Sequence, residues 1–244
     1  MSTSSPSASP GTLRIFGDAA ALAHAAADLF CDLAQASRDA FVVALSGGST
    51  PKPVYQNLAR DPWRGRVPWD RVHWVIGDER FVPETDPQSN LGMIRAALLD
   101  HVPVPTGHLH AVPTAGVTPE EAAAAHAAAL ERLRRRDGVL FDLNFLGLGE
   151  DGHTASLLPG EPVLEVRDRL AAAVPHGRDT IRITLTYPAL DASRVAAFLV
   201  SGAGKRDMLD RILRGGATVP AAAVRPAGEL IWLADRAAAG GRTG

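Results

Sequence analysis

Along this chain, short runs of apolar, β-branched or aromatic residues alternate with stretches whose apolar positions recur every three or four residues. The runs LRIF (Leu13–Phe16), FVVALS (Phe41–Ser46) and RVHWVIG (Arg71–Gly77) each read as a strand, and a helical pattern follows each. Asp18 is placed to cap the first, Ala-rich helix. The second helix is expected around Pro53–Ala59 and the third from about Ser89 to Leu99. A fourth begins at the capping-box spacing Thr118…Glu121 and closes on Arg134–Arg136, which suits the helix dipole at both ends. FDLNFLGLG, TIRITLTY, RVAAFLVSG with a helix after Gly204, and ELIWLA complete the strands.

Nearly continuous apolar strands separated by helices predict a mostly parallel sheet with helices on both faces, an α/β fold. A single domain is expected over residues 12–244, with Pro103–Pro113 as a surface connection inside it. The Ser- and Pro-rich residues 1–11 read as a disordered tail. In such sheets ligands gather beyond the carboxyl ends of the strands, so the residues just after each strand carry the chemical information.

Composition narrows the classes of partner. With 25 Lys and Arg against 27 Asp and Glu, the net charge of −2 offers no general attraction to nucleic acid or an anionic membrane. An anionic ligand must therefore be held locally. Cys31 is the only cysteine, which excludes an internal disulfide or a multi-cysteine metal site and suits a cytoplasmic setting. No apolar run reaches the roughly 20 residues that span a bilayer, and the start lacks the basic and apolar parts of a secretory signal. No compact metal-ligand spacing such as HExxH and no GxSxG nucleophile elbow is present.

Three strand ends stand out. SGGSTP (Ser46–Pro51) leads directly into a helix. Gly47 and Gly48 expose backbone N–H groups, and Ser49 and Thr50 add hydroxyls, so the loop and the positive helix end suit an anion. As a bare sequence it serves equally as a plain connector. GDER (Gly77–Arg80) reads as a charged turn unless Arg80 grips a phosphate or carboxylate, with Asp78 and Glu79 orienting it or a substrate hydroxyl. SGAGKRDML puts Lys205 at a helix start, where its charge opposes the dipole and a bound anion would relieve the conflict. The stretch FLGLGEDGHTASLLPG then sets His153 beside Glu150 and Asp151 among Gly147, Gly149 and Gly152. A histidine titrates near neutrality and a neighbouring carboxylate fixes its tautomer, so His153 is the candidate general base and Asp151 its orienting partner. Water is then the simplest nucleophile.

ALSGGSTPKPVYQNLA, GDERFVP…SNLGMIRAALL, GLGEDGHTASLLPG, RITLTYPAL and SGAGKRDML…AAAVRP together resemble the 6-phosphogluconolactonase family, in order from about Phe41 to Ala234. The resemblance implies a Rossmann-like fold and hydrolysis of 6-phosphoglucono-δ-lactone without a cofactor or metal. The ligand would be a small sugar phosphate, with neither nucleic acid nor membrane as partner, and the protein a monomer or weak homodimer. The phosphate would lie on Gly47–Thr50 with Lys205 and Arg182 supplying charge, and Arg80 or a backbone N–H of Gly149–His153 would face the oxyanion. The related glucosamine-6-phosphate deaminases typically read DGHIAFNEPG here, with a glutamate in the histidine's relay. This chain has Leu158 at that place, and leucine can neither accept a proton nor orient an imidazole.

Overall fold

The computed structural model describes residues 11–176 and 178–242. Apart from Gly11, the expected tail lies outside them. In chain order the elements are β1 (Thr12–Phe16), α1 (Ala19–Ala36), β2 (Phe41–Leu45), α2 (Lys52–Leu58), β3 (Val72–Ile76), β4 (Asp78–Arg80), α3 (Asn90–Ala97) and β5 (Leu109–His110). There follow α4 (Pro119–Leu133), β6 (Phe141–Gly147), β7 (Ala171–Val174), β8 (Arg182–Leu185), α5 (Tyr187–Asp191), β9 (Ser193–Val200), α6 (Arg206–Leu213), β10 (Glu229–Asp235) and α7 (Arg236–Ala239).

Among the described residues, seven strands form a parallel sheet in the order β1-β10-β9-β6-β2-β3-β5. The β2 residues show why its strands read as unbroken apolar runs. Val42 and Ala44 enter the core on one face, whereas Phe41, Val43 and Leu45 enter the core on the other. Alternate residues point to opposite faces, so a sheet covered on both sides must be apolar at every position. On one face α1 buries the stripe Leu22, Ala23, Ala26, Ala27, Phe30, Cys31 and Ala34, spaced for a single helix side. Phe30 stacks on Trp74 at 5.5 Å, and burying each such ring contributes about 1.5–3 kcal/mol. Both expected caps form: Asp18 accepts from the Ala21 N–H, and Thr118 and Glu121 make the reciprocal capping box.

Three expectations need correction. GDER is not a turn. At Gly77 the chain leaves the large sheet, and β4 enters a second, antiparallel sheet in the order β4-β8-β7. TIRITLTY therefore supplies β8 to that sheet rather than to the parallel one, and the Ala-rich β7 supplies its free edge. The physical cause lies in Gly77, whose N–H donates to Leu45 O in the large sheet while its carbonyl accepts from Leu185 N in the small one. The Pro-rich connection also contains β5, a two-residue edge strand on β3.

A histidine seam lies along that edge. His73 Nδ1 is 3.2 Å from His110 Nε2, the His108 ring stacks on His73 at 4.0 Å, and His126 on α4 donates to Ile76 O from Nε2. Burial, then the neighbouring imidazoles and Arg132, lower His110 to about 4. Burial likewise lowers His126 to about 4, against its bond to Ile76. Both values lie below the ordinary 6.5, so the unfolded chain binds these protons more readily than the fold does. Their contribution to stability is complete above about pH 6.5 and is lost as pH falls towards 4. For the fully buried His126 the loss approaches about 3 kcal/mol. Urea midpoints should therefore fall between pH 7 and pH 4.5, and His126→Gln should flatten that slope. A wild-type midpoint independent of pH across this range would contradict the account.

Candidate active site

The carboxyl ends of β2, β3, β6 and β9 open into one cleft of about 230 Å³. Gly47, Gly48, Ser49, Thr50, Asp78, Arg80, His153, Arg182 and Lys205 line it as expected, whereas Asp151 stands behind His153 and Glu79 is buried away from it.

The loop after β6 places the titratable pair. The N–H of Gly149 donates to His153 O and that of Gly152 to Gly149 O, closing a tight turn. A Cβ at Gly149 would lie 2.0 Å from His153 Nδ1 and 2.5 Å from Asp151 Oδ1, so only glycine lets the imidazole and carboxylate fold back onto the loop. Asp151 Oδ1 lies 2.5 Å from His153 Nδ1 and also accepts from the His153 N–H at 3.2 Å. An Nδ1–H donated to that carboxylate leaves Nε2 as the ring nitrogen with a lone pair. Partial burial pushes the Asp151 carboxyl up. The hydrogen bonds and charge of His153, with Arg178 on the other oxygen, outweigh this and hold it at about 2. Asp151 is therefore an anion throughout the neutral range.

The loop after β2 is pinned from two sides. Tyr55, fully buried on α2, donates its hydroxyl to Ser46 O at 2.7 Å. A Cβ at Gly47 would meet Asn90 Oδ1 at 1.8 Å, so the backbone here must be bare for α3 to approach. Between this loop and Lys205, Gly147 lines the cleft with no atom within 4 Å of the place a Cβ would take. Gly47, Gly48, Ser49 and Thr50 line the same cleft.

The charged strand β4 is buried because its polar groups are answered. Glu79, 2% exposed, accepts from the N–H groups of Arg80, Asn90 and Leu91 and from Ser89 Oγ, tying β4 to the start of α3. Burial raises its pKa against those bonds. Asp78, expected to meet substrate, lines the cleft, but both its oxygens serve neighbours: Oδ1 accepts from Asn90 Nδ2 at 3.3 Å and Oδ2 from Ser156 Oγ at 2.7 Å. Asn90 Oδ1 in turn accepts from Arg80 Nη1. Arg80 and Arg182 face each other across the β4–β8 pair and both line the cleft. Burial, then Arg80, lower the Arg182 pKa, as two guanidinium groups side by side require. Such a pair concentrates positive charge where an anion would be welcome.

Lys205 stands at the N-cap of α6, in the loop after β9 that Asp235 fastens through Ser201 Oγ at 2.6 Å and the Gly202 N–H at 3.1 Å. Its Nζ is 4.0 Å from the exposed Glu150 carboxylate and it lines the cleft. Sequence reasoning named neither Asn90 nor Arg178. Asn90 carries only the weak signal of a Ser-Asn helix start, and Arg178 none. Among the described residues no group of three or more His, Cys, Asp or Glu side chains is arranged to hold a metal.

The family model described as glucosamine-6-phosphate isomerases/6-phosphogluconolactonase matches residues 17–232. A 6-phosphogluconolactonase from Nostoc is 39% identical over 93% of this chain and 96% of its own length. One from Synechocystis is 42% identical over 83% of this chain and 85% of its own. The crystal structure of 6-phosphogluconolactonase from Thermotoga maritima superposes with a TM-score of 0.80 at 28% identity, covering 92% of this chain and 99% of that one. The chain belongs to the glucosamine-6-phosphate isomerase/6-phosphogluconolactonase family.

Proposed function

We propose that the cleft hydrolyses 6-phosphoglucono-δ-lactone to 6-phosphogluconate, the second step of the oxidative pentose phosphate pathway. The observation that carries this reading is the Asp151–His153 pair, 2.5 Å apart, opening onto a cleft lined by anion donors. The 6-phosphate lies over Gly147, held by the N–H and hydroxyl groups of Gly47–Thr50 on one side and Lys205 on the other. This sets the lactone carbonyl towards His153, Arg80 and Arg182. Asp151 fixes the proton on Nδ1, so Nε2 takes a proton from water as its oxygen bonds to the carbonyl carbon. Arg80, steadied by Asn90, is placed to meet the oxyanion. As the intermediate collapses, the bond from that carbon to the ring oxygen breaks and Nε2 returns its proton to the departing oxygen. Asp78 then acts through Asn90 and Ser156 rather than on substrate.

The scheme asks for no residue from a second copy, and we read the protein as a monomer or weak homodimer that works on a small sugar phosphate in the cytoplasm. No helix among the described residues is long and apolar enough to cross a membrane. The deaminase alternative meets an obstacle at Leu158, which is 5% exposed and packed in the apolar core. A glutamate there would carry its carboxylate into that apolar surround. The decisive assay compares wild type on two substrates. It should hydrolyse the phosphorylated lactone well above the spontaneous rate and release no ammonia from saturating glucosamine-6-phosphate. Ammonia release would overturn the lactonase reading.

A further inference from the structure

Arg178 lies outside every motif, yet its side chain reaches the reacting pair. Its Nη2 is 2.5 Å from Asp151 Oδ2, the oxygen that His153 does not use, and 3.3 Å from His153 Nδ1. The residue holds φ 62°, a left-handed conformation that costs a non-glycine residue about 1–2 kcal/mol. Its side chain is 51% exposed, and its polar contacts among the described residues are Asp151 and His153. An exposed ion pair contributes little stability, so packing does not account for a strained backbone that delivers a guanidinium here.

We propose that Arg178 is a positioning residue that holds the free oxygen of Asp151 and, by its charge, sets the pH at which His153 can act as base. The inference rests on the lactonase reading. Two effects follow from the geometry. With one partner on each oxygen the carboxylate cannot rotate, so the imidazole plane is fixed. Once Nε2 has gained a proton, imidazolium and guanidinium share one carboxylate, which disfavours the protonated ring and speeds return of the proton to the leaving oxygen. Other charges around the ring remain when Arg178 is changed. They are Glu150 on the same loop, Lys205 from the β9 end, Arg80 and Asp78 from β4, Arg182 from β8, and Asp179 beside Arg178.

The test uses Arg178→Gln, which keeps a polar side chain without charge, and Arg178→Lys, which restores the charge. Without substrate, the NMR titration of the His153 ring should move to higher pH in Arg178→Gln by about half a unit to one unit, the worth of a unit charge some 4 Å away in a hydrated site. The acid limb of kcat/KM should move by the same amount, a roughly threefold to tenfold loss on that limb, and Arg178→Lys should bring both back. A rate lowered equally at every pH, with the ring titration unmoved, would show that Arg178 serves only the loop's shape. A wild type without lactonase activity would overturn the reaction itself, and with it the role in that reaction, while the titration would still report whether the charges are coupled.

Discussion

Replacing His153 by alanine is expected to lower kcat for the phosphorylated lactone by about 10²–10⁴-fold while KM changes little. The split follows from where the ring acts. Nε2 acquires charge only as water attacks, so its loss removes stabilisation of the transition state and leaves the bound substrate untouched. The loss is bounded because the cleft still positions the lactone against Arg80 and because the lactone hydrolyses slowly in water unaided. Asp151→Asn should fall between the two. The amide can accept the Nδ1 proton through its oxygen but cannot offset an imidazolium. Steady-state kinetics on both variants, with the spontaneous rate subtracted, decide the matter, and an alanine variant turning over near the wild-type rate would remove His153 from the chemistry.

How legible the site was in the sequence depended on distance along the chain. Asp151 and His153 are two residues apart in one glycine-rich loop, so their pairing could be read directly. That the loop after β2 and Lys205 would line the cleft was legible because each follows a buried strand and precedes a helix. Asn90 and Arg178 meet their partners across 10 to 27 residues and through a second sheet, and nothing local announces such contacts. The small sheet was obscured for a related reason. Its strand β7 is Ala171–Val174, composition that suits a helix as well as a strand, and β4 is three charged residues. Tertiary partners decide both: α4 and β8 pack against β7, and the backbone of α3 satisfies Glu79. The parallel sheet needed no such help, since β2, β6, β9 and β10 are buried almost throughout and announce it by apolarity alone.

Lys205→Ala should act on the other kinetic constant. The lysine lines the same cleft as Gly147, its nearest acid is 4.0 Å away, and that acid, Glu150, is 73% exposed. A lysine so weakly paired keeps most of its charge for a ligand, and a charge-assisted contact to a phosphate contributes about 1.5–3 kcal/mol. Because the phosphate is remote from the carbonyl, that contact is the same before and during reaction. KM should therefore rise by about tenfold to a hundredfold with kcat nearly unchanged. The control is the unphosphorylated gluconolactone. Wild type should handle it poorly, and Lys205→Ala should handle it just as wild type does, since the lysine has no anion to meet. Reversing the charge in Lys205→Glu should deepen the KM defect for the phosphorylated substrate, because two anions would then face each other over Gly147. Equal losses on the two lactones would instead place Lys205 in the chemistry or in the loop's folding, and would move the phosphate to the arginine pair across the cleft.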